Sequence, residues 1–279
     1  MRHKFVFGAG ALVLGLCSHA MAGVVITSTQ TKLDTHEAGP VTVYVDSDRL
    51  KVESGGNIVI FRGDLNRLWV IDPARHSYME MTPETMQRMS GQLAGAQAQL
   101  GAAGAQLQER LAQMPPEQRA MMAQMLASRG VTLPDAGPAA QSAPAQAVFA
   151  KAGGGKTVAG WSCENYTKTV NGQQQEQVCI ARAASAGLTA SDFQVMDKIA
   201  AFVAPVSSSP MVPRMDYMNW NEMNKAIGFQ GLPVDTTIFL QGRPLTQTVL
   251  TKIDHAAIPA NTFDLPQGFT KREMGMPPR

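Results

Sequence analysis

From Val24 to Met81 the chain reads VVITSTQT, VTVYVDS, RLKVES, NIVIFRG, RLWVIDP and SYMEM, with Gly-Pro, Ser-Gly-Gly, Arg-Gly-Asp and Asp-Pro between the runs. Short β-branched and aromatic segments at this spacing, broken by turn residues, predict an antiparallel meander. This pattern constrains the fold more than any other feature. It returns after residue 155 as KTVAGWSCENYTKTV, an Asn-Gly turn and QQQEQVCIA, and again near the end as DTTIFLQG, PLTQTVLTKID and NTFDLPQGF. Strands on both sides of the middle are therefore expected in one sheet, with residues 23–81 and 156–279 forming one domain. Alternation assigns Val43, Val45, Val52, Ile58, Ile60, Leu68, Val70 and Tyr78 to one apolar surface.

The middle differs in kind. Thr82 followed by Pro83 and Glu84 is a helix start, with Thr as N-cap and Pro in the first turn. Met86, Leu93, Leu100, Leu107 and Met114 recur at sevens with Ala or Gly between them, predicting a helix packed closely on another helix. Gly91, Gly95, Gly101 and Gly104 each weaken it by up to ~1 kcal/mol relative to Ala. Pro115-Pro116 breaks it, and EQRAMMAQMLASRG supplies a second helix, so residues 82–130 read as a Met/Gln/Ala-rich helical hairpin. Residues 131–155 read as a flexible Pro/Ala/Gly linker. Further on, TASDFQVMDKIAAFVAP is a capped amphipathic helix presenting Phe193, Met196, Ile199, Ala200 and Val203. A short helix is expected around MNWNEMNKAIGF.

The first 22 residues carry Arg2 and Lys4, an apolar run from Phe5 to Cys17, and Ala20-Met21-Ala22 before Gly23. That is a secretory signal peptide cleaved after Ala22, with an apolar run too short to span a bilayer. A lipoprotein signal at Cys17 is disfavoured by the bulky Leu16 before it. Cleavage takes two of the 24 basic residues and leaves 22, equal to the 22 acidic ones. That balance argues against a nucleic-acid partner. No later segment is apolar for long enough to be a transmembrane helix. Cys163 and Cys179 remain in the exported chain and read as one disulfide. A three-residue loop, Val170-Asn171-Gly172, would set them directly opposite each other across a hairpin.

AKAGGGKT, residues 150–157, fits the loose phosphate-loop pattern. The next residues are Val-Ala-Gly-Trp-Ser-Cys, a strand signal where a phosphate loop needs a helix, so no nucleotide is expected. The exported chain has only His36, His76 and His255, far apart, with no metal-ligand partner at i+2 to i+4. No Gly-x-Ser-x-Gly elbow occurs and no cysteine is left over as a nucleophile. No catalytic residue, metal or cofactor is therefore assigned. Met79-x-Met81, Met86-x-x-Met89, Met121-Met122-x-x-Met125 and Met274-x-Met276 are the one chemical lead, since thioethers select Cu(I). Methionine at helical spacing is more often a filler of adaptable apolar surfaces, and the copper reading lacks supporting His or Cys.

VYVDSDRLKVES, LWVIDPARHSYMEM, AGWSCENY and FDLPQGF occur in this order. Together they resemble the exported domain-of-unknown-function family 4412, which is similar to the periplasmic lipoprotein-carrier superfamily typified by LolA and LolB. The resemblance implies an α+β fold: a curved antiparallel half-barrel with helices on its concave face and the helical hairpin as an insertion. It also implies a periplasmic, non-enzymatic protein whose partner is a lipid or lipoprotein acyl chain, or an envelope protein. No site residue is carried over from the family. Candidate groove residues are Phe193, Met196, Trp161, Met79, Met81 and Trp220, with Tyr217 and Phe229 beside them. Against the groove stands a plain core covered by the helix from Ser191 to Val203, because pocket linings and cores share a composition.

Overall fold

The structure is a computed structural model that describes residues 21–115, 117–118, 121, 147–207 and 220–273. Six strands open it: β1 (Met21–Lys32), β2 (Ala38–Val45), β3 (Arg49–Ser54), β4 (Asn57–Arg62), β5 (Arg67–Asp72) and β6 (Ser77–Met81). Helix α1 (Pro83–Ala112) follows, then β7 (Ala147–Val158), β8 (Trp161–Val170) and β9 (Gln173–Arg182). Helices α2 (Gln194–Ser207) and α3 (Trp220–Ile227) precede β10 (Gly231–Leu240), β11 (Arg243–Ile258) and the short β12 (Thr270–Lys271).

All twelve strands belong to one curved, unclosed sheet in the order β12-β6-β5-β4-β3-β2-β1-β11-β10-β9-β8-β7. Every pairing is antiparallel except that of β12 with β6. The two halves of the chain join through β1 and β11, paired from Met21 opposite Ile258 to Lys32 opposite Thr246.

Short turns set the register. Gly55 and Gly56 both take left-handed φ, 56° and 81°, so Ser54 pairs with Asn57 across a two-residue turn of primed type. Val52 then faces Val59, and Leu50 faces Phe61. This corrects the alternation drawn from the sequence. Ile58, Ile60 and Tyr78 lie on the opposite face from Val43, Val45, Val52, Leu68 and Val70, and Val59 and Phe61 take their places. A one-residue slip in register moves a whole strand's side chains to the other face.

The hairpin carrying the cysteines is also corrected. Asn171 and Gly172, at φ 52° and 75°, complete the turn alone, with Val170 opposite Gln173. The extra residue is Gln175 in β9, between the pairs Lys168–Glu176 and Thr169–Gln174. It shifts the register the other way, so Cys163 faces Ala181 and Cys179 faces Asn165. The cysteines are diagonal neighbours, yet they are bridged with Cα atoms 5.4 Å apart, inside the span a disulfide needs.

Residues 147–155, expected as the end of a linker, are strand. Ala147–Lys151 and Gly155–Val158 both pair with β8, and the chain bulges between Lys151 and Gly155. Gly153 and Gly154 supply the left-handed φ of that bulge, 74° and 67°. At Gly155 a Cβ would sit 2.8 Å from the Cys163 carbonyl oxygen, so only glycine permits the approach. The phosphate-loop lookalike is thus a bulged edge strand, and its Lys156 pairs with Asp235 on β10.

Thr82 caps α1 as expected, its hydroxyl accepting from Thr85 N while Thr85 Oγ1 accepts from Thr82 N. The heptad seam is interrupted rather than continuous: Met86 is buried, Leu93 half-buried and Leu100 65% exposed, and near the end of the helix Leu107 is half-buried and Leu111 buried again. The second helix of the expected hairpin and residues 131–146 lie outside the described residues, as do residues 1–20 of the signal peptide.

Candidate binding site

Two unbroken ladders of apolar side chains cross the first half of the sheet on its inner face. One runs Val24, Val45, Leu50, Phe61, Leu68, Met81, each opposite the next on the neighbouring strand. The other runs Ile26, Val43, Val52, Val59, Val70, Met79. Opposed apolar pairs of this kind are the stabilising unit of a sheet and, in series, form a smooth apolar floor. Cys163, Cys179, Ala181, Leu232, Val234 and Leu250 extend it into the second half.

The floor is covered by α2 and the first turns of α1. Phe193, from the 3₁₀ turn Ala190–Phe193, and Val195, Ile199, Phe202, Val203 and Val206 are buried against the floor. Phe202 meets Phe61 edge-on at 5.6 Å. Met86 is buried beside them, with Met89 and Leu93 packed at the margin. Entry into α2 is fixed by Thr189, whose N–H donates to Asp192 Oδ2 at 2.7 Å. Neither helix adds a strand; both meet the floor through side chains.

Five of the six candidate groove residues fall on this side. Phe193 belongs to the buried cluster, and Met196, Met81 and Trp161 are half-buried against it. Met79 is half-buried, opposite Val70 of the second ladder. Trp220 opens α3, which packs Met223 and Ile227 on the opposite face against Tyr166, Val178 and Ile180. The Trp220 side chain and Tyr217 lie outside the described residues, and Phe229 packs with the α3 cluster. Val59, Phe61, Val195, Phe202 and Val206 were missed. The turn length at Gly55-Gly56 was the signal for the first two, and full helical periodicity for the others.

The outer face has its own seals. Ile60, Trp69, Ile71, Ile258 and Phe263 form a second cluster, with Leu265 and Phe269 of the C-terminal strap packed on it. Glu80 ties this strap down: it accepts from Lys271 Nζ and from Trp69 Nε1 at 3.0 Å, and pairs with Arg67 at 3.3 Å. Lys271 first, then Trp69, hold its carboxyl below the usual carboxylate range. Under α3, Lys168 and Glu176 form a buried ion pair at 2.8 Å. No group of three or more His, Cys, Asp or Glu residues able to hold a metal ion exists among the described residues. No helix among them is long and apolar enough to cross a membrane.

The chain is similar in fold to an uncharacterized conserved protein from Thermus thermophilus (TM-score 0.41, 6% identity, 91% of each chain covered). It is similar to MucB at TM-score 0.35 and 12% identity, over 94% of this chain and 64% of that one, less than two thirds of its length. It is also similar to a LolA superfamily protein from Nitrosomonas europaea at TM-score 0.25 and 9% identity, with 88% and 91% covered. All three fall below a TM-score of 0.5, so the functional reading rests on this chain's own side chains. No curated protein matches the sequence. The family model of DUF4412, a domain of unknown function, matches residues 131–269, from ahead of β7 to Phe269. Strands β1–β6 lie outside that match and are hydrogen-bonded into the same sheet through β1 and β11. Across its second half, then, the chain is a member of the DUF4412 family.

Proposed function

We propose that this is an exported, periplasmic, non-enzymatic protein that holds a hydrophobic ligand, a lipid or an acyl chain, on the inner face of its sheet. One observation carries the reading: a two-ladder apolar floor across six strands, covered by a helix that shares no ladder hydrogen bond with it. Burial of each Val- or Leu-sized side chain is worth ~1.5–3 kcal/mol, so the floor is not left bare to water. The same non-directional burial is available to α2 or to an acyl chain. Exchange of one for the other leaves the strands paired. The half-buried thioethers of Met81 and Met196 at the margin suit a ligand of variable shape.

The test locks the cover. Lys198 of α2 lies 4.0 Å from Asp48 of the β2–β3 turn, at the surface. A Lys198→Cys/Asp48→Cys variant can be joined there by a bis-thiol-reactive linker that carries a reducible disulfide, and reopened with mild reductant, while the native bridge stays buried. A fluorescent fatty acid should be taken up by the reopened variant and refused by the linked one. Equal uptake by both, or none by either, would falsify the reading.

A second reading, a protein-interaction module, is favoured by α1 alone. Residues 97–106 are exposed around the helix, and nothing stands within 4 Å of a Cβ built at Gly101 or Gly104. A photo-crosslinker at Leu100 should capture an envelope protein if that reading holds, whatever the state of the inner face.

A further inference from the structure

On the outer face, beside the end of α3, an open cleft of about 430 Å³ is lined by Trp161, Ser162, Glu164, Ile180, Arg182 and Phe229, among others. Its size falls within the range of small-molecule sites. Glu164 and Ile180 are opposed on β8 and β9, and Ser162 and Arg182, two residues along each strand, share their face. The Arg182 guanidinium lies over the Phe229 ring at 4.5 Å. Among the described residues it makes no ion pair and no side-chain hydrogen bond.

Glu164, the nearest acid, is engaged elsewhere. Lys151 Nζ donates to it at 2.9 Å and the Tyr166 hydroxyl at 3.1 Å. Lys151 neutralises Glu164, so the cleft keeps one uncompensated positive charge. That charge is presented by a planar fork held over an aromatic ring, and the fork's paired donors match the geometry of a carboxylate. Ile180, Phe229 and the Trp161 edge give the rest of the cleft an apolar wall. A single net positive charge matches a monoanion, which favours carboxylate over a phosphate dianion.

We propose that this cleft binds a compact apolar carboxylate. The carboxylate accepts two hydrogen bonds from Arg182 and one from the Ser162 hydroxyl, and the apolar body rests on Ile180 and Phe229. Ser162, Glu164, Ile180 and Arg182, which carry the polar contacts and the wall, face away from the inner cluster, so the inference does not rest on the inner-face reading.

Calorimetric titration of the full chain with phenylacetate, 2-phenylethanol and phenyl phosphate tests it. Phenylacetate should bind saturably and at least about ten-fold more tightly than the other two, as a charge-assisted bidentate pair requires. Arg182→Gln should weaken phenylacetate about ten-fold and erase the preference for acid over alcohol. The assignment is overturned if phenylacetate shows no saturable binding, if the alcohol matches it, or if phenyl phosphate binds as well or better. It is equally overturned if a folded Arg182→Gln protein binds phenylacetate like the wild type. Should that variant fail to fold, the comparison of the three ligands on the wild-type chain decides alone.

Discussion

Lys168 and Glu176 face each other across β8 and β9 with the Lys168 side chain 1% exposed, so two charges have left water together. Their attraction offsets that desolvation only while both are present. Lys168→Met or Glu176→Leu alone removes this buried pairing and should cost roughly 3–5 kcal/mol in urea unfolding. The double variant should recover most of the loss. Singles as stable as the wild type would mean that water reaches the pair. Glycine at position 155 has a different reason, the carbonyl of Cys163 2.8 Å from where its Cβ would be.

At the scale of elements, α1 is two structures in one. Its first turns dock through Met86, Met89 and Leu93, and the stretch beyond carries exposed glycines with open space about them. Gly101→Ala and Gly104→Ala should each favour the helix by up to ~1 kcal/mol. Since residues 97–106 are exposed around the helix, the gain should slow hydrogen exchange of their own amides and leave the global unfolding midpoint nearly unmoved. A raised global midpoint would show that the outer helix is docked.

The C-terminal strap behaves as a second separable element. Thr270 N donates to His76 O and Arg272 N to Tyr78 O, and Glu80 clamps Lys271 between them. Glu80 has a depressed folded pKa, so its contribution is present above the ordinary glutamate value of about 4.3. It is lost as pH falls through the lower folded value. Exchange at the Thr270 and Arg272 amides should therefore accelerate below about pH 4. In Glu80→Gln that acid step should vanish, with faster exchange already at neutral pH. Identical profiles in both proteins would remove Glu80 from this role.

On the scale of the whole molecule, β1 and β11 sew the two halves of the chain into one sheet, and both halves contribute to the buried inner cluster. Unfolding should accordingly be one cooperative event. Variants keeping only Trp69, in the first half, or only Trp161, in the second, should lose native fluorescence at the same urea concentration. Two midpoints would mean two independent units. Replacing Cys163 and Cys179 by alanine should lower both midpoints together, by roughly 3 kcal/mol of stability for a loop of this length.

What could be read from residues alone was local. Turn chemistry at Gly55-Gly56 and Asn171-Gly172, the Thr82 cap, the strand runs and the pairing of two exported cysteines all depend on neighbours a few positions away. Register is different. The period of two says that Val52 and Leu50 share a face, yet it does not say whether Val59 or Ile58 joins them; the length of the turn does. The fate of residues 147–155 was hidden as well, since three glycines carry no strand propensity and are held extended only by β8 alongside. The cover over the inner face is the furthest from sequence. Which helix lies on the floor, where α1 leaves it, and which face Trp220's helix takes are set by how one strongly paired sheet curves beneath them, and no local pattern encodes that curvature.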